Sequence, residues 1–116
     1  MNYNLRKPCA DCPFRTDNDF HLTLARAQEL SRVSSEFACH KTVDYSGEDG
    51  GRIKEKSEHC AGALILAEHM QRPHQMMRIC ERIGMYDASK LEMDSPVFRS
   101  HIEMISTYRR RNKRRA

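Results

Sequence analysis

Four cysteines, in the order Cys9-x2-Cys12, Cys39 and Cys60, restrict what this chain can fold into more than any other feature. A thiolate is a soft ligand, and four of them meeting at one point suit a zinc ion or an iron–sulfur cluster. The close pair lies in Cys9-Ala-Asp-Cys12-Pro-Phe-Arg15, where a two-residue gap lets a tight loop aim both sulfurs at one metal. Cys39 and Cys60 arrive singly from distant segments. A site built this way ties the N-terminus, the middle and a later helix together.

The chain's size makes such a tie useful. At 116 residues it is expected to form one domain, and with 39% hydrophobic residues, 31% charged residues and no Trp its core is modest. Small domains often rely on a metal or cross-link for stability. Residues 1–7 hold no apolar run of signal-peptide length, and no stretch approaches the roughly 20 apolar residues of a membrane span. The expected location is therefore cytoplasmic, where thiols stay reduced and bind metal. The odd count of five cysteines also argues against complete disulfide pairing.

Charge is concentrated at one end. The net charge is +4, yet Arg109, Arg110, Arg111, Lys113, Arg114 and Arg115 fill all but one of positions 109–115. Without them the body is mildly acidic. A solvated helix end uses one or two cations against its dipole, but six suggest contact with nucleic acid or another polyanion. The division expected is a metal-centred helical domain over 1–107 and a basic tail over 108–116.

The elements read as mainly helical. Thr23 caps a helix over roughly Leu24 to Arg32, and Cys60 to Met70 reads as a buried helix. Pro73 opens a third helix to about Ile83, with Gly84 at its cap. Ser95-Pro96 signals a last helix carrying Phe98, Ile102 and Ile105, with Val97, His101, Met104 and Tyr108 beside them. Phe37 to Val43 is expected to be extended, Ser46 to Gly51 a turn, and Arg52 to Lys56 a returning strand of one short β-hairpin. The fold class is thus a small, mainly α domain organised around a four-cysteine metal centre. Cys80, on a face with Met76, Ile79 and Ile83, reads as a small buried hydrophobe, and Met70, Met76, Met77 and Met85 as core filling.

His40 follows Cys39 and His59 precedes Cys60. Adjacent side chains diverge, so each Cys/His pair supplies one ligand. Four cysteines suffice; a Cys3His zinc site with His40 or His59 is the alternative, the usual role of such histidines being to support a ligand. Zinc sites commonly pair two close knuckles, and here there is one. Pro13 directly after Cys12, and the small Ala61-Gly62-Ala63 after Cys60, favour a [4Fe–4S] cluster, with Zn2+ as the alternative.

The segments Cys9-x-x-Cys12-Pro-Phe-Arg15, Phe37-Ala-Cys-His-Lys-Thr42 and Cys60-Ala-Gly62 resemble a family of small uncharacterised four-cysteine proteins of phages and actinobacteria. The resemblance covers about residues 8–64 and leaves out the basic end. It implies that Cys9, Cys12, Cys39 and Cys60 act together with His40 nearby, and it suggests a phage or prophage origin. It implies no activity.

The function expected is a non-enzymatic, phage-type metal-binding protein that contacts nucleic acid through its last helix and tail, as a regulator in the host cytoplasm. The competing expectation is a zinc-stabilised module that binds or inhibits a nucleic-acid-processing host protein. Catalysis fits poorly. Cys9-Ala-Asp-Cys12 follows no βαβ pattern of a thioredoxin-like dithiol, and Asp44, Glu48 and Asp49 belong to a loop better explained by solvation.

Overall fold

The computed structural model describes residues 2–39 and 57–115. The expected turn at 46–51, the returning strand Arg52 to Lys56, His40, Asp44, Glu48 and Asp49 lie outside these residues.

Four α-helices carry the described chain: α1 (Leu24–Ser31), α2 (Ala61–His69), α3 (Gln75–Arg82) and α4 (His101–Arg115), with one 3-10 turn at Ala88–Lys90. The molecule is mainly helical, as its sequence suggests. Among the described residues β-pairing is confined to three isolated bridges, Asn2 with Glu58, Ala38 with His59, and Arg15 with Val97.

Helix α1 starts where expected because the Thr23 hydroxyl accepts from the Arg26 amide, satisfying an orphan donor of the first turn. Helix α2 is buried from Ala61 through Ala67. Its composition explains this, since a helix apolar all round has no wet face to offer. Helix α3 begins later than Pro73 suggests: His74 is the cap, and its side chain accepts from the Met77 amide. The helices end on left-handed residues. Gly84 takes that role after α3 at φ 81°, but Val33 and Gln71 fill it after α1 and α2 at φ 44° and 56°.

The last helix departs most from expectation. Ser95-Pro96 marks a turn, and α4 begins at His101. The Ser100 hydroxyl accepts from the Glu103 amide while the Glu103 carboxylate accepts from the Arg99 amide, a reciprocal capping arrangement. Phe98 is buried, but ahead of the helix. Met104, Tyr108 and Arg111 form the inward stripe, and Ile102 is 66% exposed. Helix α4 lies on α1.

Side chains on α3 also fall differently. Met77 and Cys80 are buried, whereas Met76, Ile79, Ile83 and Met85 are exposed. Cys80 is the small buried residue expected. Met76 and Met85 do not fill the core, because α3 turns only its Met77/Cys80 side inward.

Candidate metal centre and basic helix

Segment 57–60 is the spine of the cysteine site. On one side the Asn2 amide donates to the Ser57 carbonyl at 2.9 Å and the His59 amide to the Asn2 carbonyl at 2.8 Å. On the other the Cys39 amide donates to Glu58 at 2.8 Å and the Cys60 amide to Phe37 at 2.7 Å. These bonds make Ala38 and His59 an antiparallel bridge and set Cys39 and Cys60 diagonally across it. Cys60 also caps α2, so its thiol sits at a helix N-terminus.

The Cys9–Cys12 loop closes onto this spine. The Cys12 amide donates to the Cys9 carbonyl at 3.1 Å. Arg15 donates to the carbonyls of Pro8 and Cys9 while its guanidinium grips Asp17 through two bonds of 2.7 and 2.8 Å. Asn18 donates to the carbonyls of Ala10 and Cys12. Pro13 offers its carbonyl to the buried Tyr108 hydroxyl at 2.6 Å, and Phe14 meets Phe37 edge to face. The Cys-Pro-Phe-Arg run thus has a physical reading: each residue after Cys12 anchors the loop to a different neighbour.

None of the five cysteines is in a disulfide. The Cys12 and Cys60 sulfurs stand 3.4 Å apart, both buried, well beyond the ~2.05 Å of a disulfide. The Cys60 thiol and Cys12 share a hydrogen bond that pulls the Cys12 thiol below the ordinary range, helped by the amides of Phe14 and Gly62 and by the Arg15 charge. The same contact pushes Cys60 well up, with burial and the nearby Cys12 and Cys39 adding to it. Cys12 is therefore the more easily deprotonated sulfur of the pair and Cys60 the one that keeps its proton more firmly. Burial raises Cys9, and the neighbouring Cys12 and Cys39 raise it further. Of the four expected cysteines the structure puts Cys12 and Cys60 in contact, with Cys9 and Cys39 near enough to perturb the thiols around them. Among the described residues, no three Cys, His, Asp or Glu side chains are grouped closely enough to hold an ion as they stand.

Gly62 explains the small residues after Cys60 more locally than a cluster does. A β-carbon there would lie 2.5 Å from the Cys12 sulfur and 3.0 Å from the Phe14 β-carbon. The glycine is the space Cys12 occupies.

His59 is no free ligand. It is fully buried, and its Nε2 lies 2.9 Å from His74 Nε2 and accepts from the Phe37 amide. The bonding fixes the tautomers. His74 Nδ1 accepts the Met77 amide, so its proton sits on Nε2 and is donated to His59 Nε2; His59 Nδ1 then donates to the Cys60 carbonyl. Burial drives His59 down to about 4, so the pair is neutral. His59 and His74 form a relay that steadies the Cys60 main chain. Cys80 stands apart beside the Tyr3 phenol, which burial and the Glu36 carboxylate push far up.

The basic end is less an appendage than the sequence suggests. Position 108, the expected domain boundary, lies within α4, and Tyr108 is fully buried. Arg111 is only 4% exposed; it lies 4.8 Å over the Tyr108 ring and donates to the Phe20 carbonyl. Asn112 donates to Leu22. Arg109, Arg110, Lys113 and Arg114 remain exposed. Thr107, Arg110 and Arg114 line one side of a cleft of about 500 Å³, with Lys113 beside them and Thr16 and Asn18 opposite. Sequence reasoning missed Asn18, Thr107 and His74. Thr16 and Asn18 stand in the polar run Thr16-Asp17-Asn18-Asp19, and only the fold sets that run against α4.

None of the described helices is long and apolar enough to cross a membrane. Comparisons with curated proteins and with solved structures return no match. The profile of a family of unknown function (DUF6283) matches residues 4–115, from the segment before Cys9 to the end of α4. The chain that joins four cysteines to a basic helix within one matched span belongs to that family.

Proposed function

We propose that the protein is a non-enzymatic, metal-centred domain that contacts nucleic acid through α4. The observation that supports the first half is the buried Cys12–Cys60 contact at 3.4 Å, with Cys9 and Cys39 near enough to perturb the thiols around them. The reading requires the Cys9 and Cys39 side chains to turn toward that pair. The separation favours a single zinc ion: with Zn–S of ~2.3 Å, two thiolates in a tetrahedral site stand about 3.8 Å apart. A [4Fe–4S] cluster binds each thiolate through its own iron and spaces the sulfurs wider; the Cys12-Pro13 sequence favours it. Anaerobic purification with metal and sulfide analysis decides between them. Brown protein with matched iron and sulfide means a cluster; colourless protein with one zinc means the single ion. Cys60→Ala should lose the metal and Cys80→Ala should keep it. Equal metal in Cys60→Ala and the parent would refute the four-cysteine centre.

The nucleic-acid half rests on the exposed cations of α4. Arg111 serves packing, so at most five of the six face a phosphate backbone, and the slope of log affinity against log salt on duplex DNA should reach no more than about −4.5. A second reading, binding of a nucleic-acid-processing host protein by a phage-encoded regulator, is favoured by the exposed Met76, Ile79 and Ile83 on α3.

A further inference from the structure

We propose that the cleft between α4 and the Thr16–Asn18 turn is a phosphate-binding site, with Thr107, Arg110, Lys113 and Arg114 as its ligands. It rests on the reading above only for the source of the phosphate, a nucleic-acid backbone.

The cleft has the size and the chemistry. Its volume of about 500 Å³ lies within the range of small-ligand sites. Thr107, Arg110 and Arg114 recur at the three- and four-residue steps of one helix face, so their side chains rise together. The α4 dipole places about half a negative charge at this end, and the three exposed cations lining the cleft outweigh it.

The neutral groups sort themselves by the bonds they already make. The Thr16 hydroxyl donates to the Pro96 carbonyl, and both Asn18 bonds of the amide nitrogen go to Ala10 and Cys12. Those two residues form a fixed wall. Thr107 differs: its oxygen accepts from Arg110 at 3.3 Å, which orients the guanidinium and leaves the hydroxyl proton for an anion. A bound phosphate oxygen thus receives a charge-assisted fork from Arg110 and a neutral bond from Thr107. Arg111, buried beneath, holds α4 against the Phe20 carbonyl and fixes the opposite wall at its distance. Because Asn18 ties this wall to the loop that carries Cys9 and Cys12, the site comes ready-formed once that loop is in place.

The test uses the full-length protein, a labelled single-stranded oligonucleotide and, separately, inorganic pyrophosphate. Thr107→Val should weaken both about three- to tenfold, the worth of one hydrogen bond, and Thr107→Ser should restore them. For pyrophosphate, Lys113→Glu should cost at least about tenfold, whereas Arg109→Glu, an equal change of charge on α4 but off the cleft, should stay within about threefold. Helical circular dichroism of each variant checks that it folds. Equal losses of pyrophosphate binding in Lys113→Glu and Arg109→Glu, or no effect of Thr107→Val, overturn the cleft and leave general nucleic-acid contact standing. Pyrophosphate binding that follows Thr107 and Lys113, with no oligonucleotide binding, upholds the cleft and refutes nucleic acid as its source. Binding of neither overturns both.

Discussion

Cys12 is held by what it touches rather than by where it falls in the sequence. Its sulfur fills the space that Gly62 leaves at the first turn of α2, with amides of Phe14 and Gly62 favouring the thiolate. This makes Gly62 a sharp probe of the centre. In Gly62→Ala the added carbon must displace either the sulfur at 2.5 Å or the Phe14 β-carbon at 3.0 Å, and neither is the far end of a flexible chain. Overpacking of this kind costs about 1–3 kcal/mol, set against a gain of under about 1 kcal/mol from alanine's helix propensity. The variant is expected to unfold at lower denaturant and, since the proposed centre takes the displaced sulfur as a ligand, to bind less metal. Undiminished metal content with an unchanged midpoint would show that Cys12 does not depend on the glycine.

At the scale of elements, the end of α4 carries both packing and charge. The Tyr108 hydroxyl bonds Pro13, and burial pushes that phenol up to about 12. Beyond it, Arg111 and Asn112 hold the carbonyls of Phe20 and Leu22. Truncation after Tyr108 removes two hydrogen bonds and a cation–π contact, together about 2–4 kcal/mol. Urea unfolding should show that loss, while Arg109→Gln should fall within about 0.5 kcal/mol of the parent. A truncated chain as stable as the parent would restore the picture of a free tail. Elsewhere in the helices, Gln71 is exposed at φ 56°, so Gln71→Gly should stabilise the fold by about 1 kcal/mol, measured by thermal unfolding. The helices were legible where a residue type declared a boundary, as Thr23 and Gly84 do. They were illegible where a side chain with no such preference did the same job, as Val33 and Gln71 do. The start of α4 was written in Ser100-x-x-Glu103, but Ser95-Pro96 offered an equally good local signal and only packing chose between them. For the same reason the four cysteines could be read as a set, while the pairing of the Asn18 turn with α4 could not: the first follows from ligand chemistry, the second from contacts across most of the chain.

The molecule as a whole has two sources of order. Its radius of gyration, 14.1 Å, is close to the roughly 13 Å expected of a compact domain of this length, so the described segments form one body. Within it, Leu64, Ile65, Leu66, Met77, Phe98 and Met104 are fully buried, and each such side chain contributes about 1.5–3 kcal/mol. The cysteine region joins that core through Cys12, Phe14 and Cys60, but its backbone is held only by isolated bridges and single main-chain bonds around segment 57–60. A small metal domain without such a core unfolds when its metal leaves. Here the two parts should separate. If the proposed metal is bound, its removal with a chelator should quicken hydrogen exchange at the amides of Cys12, Cys39 and Cys60 at least about tenfold, since each bonds a carbonyl of the cysteine region. The amides of Ala27 in α1, Met70 after α2 and Met104 in α4 should keep most of their protection, because their partners lie in or beside the helices. Tyr108 links the two parts through Pro13, so the Cys9–Cys12 loop should loosen less than segment 57–60. Uniform acceleration across all six amides would show that the metal nucleates the whole fold, and no acceleration at the cysteine amides would show that it stabilises none of it.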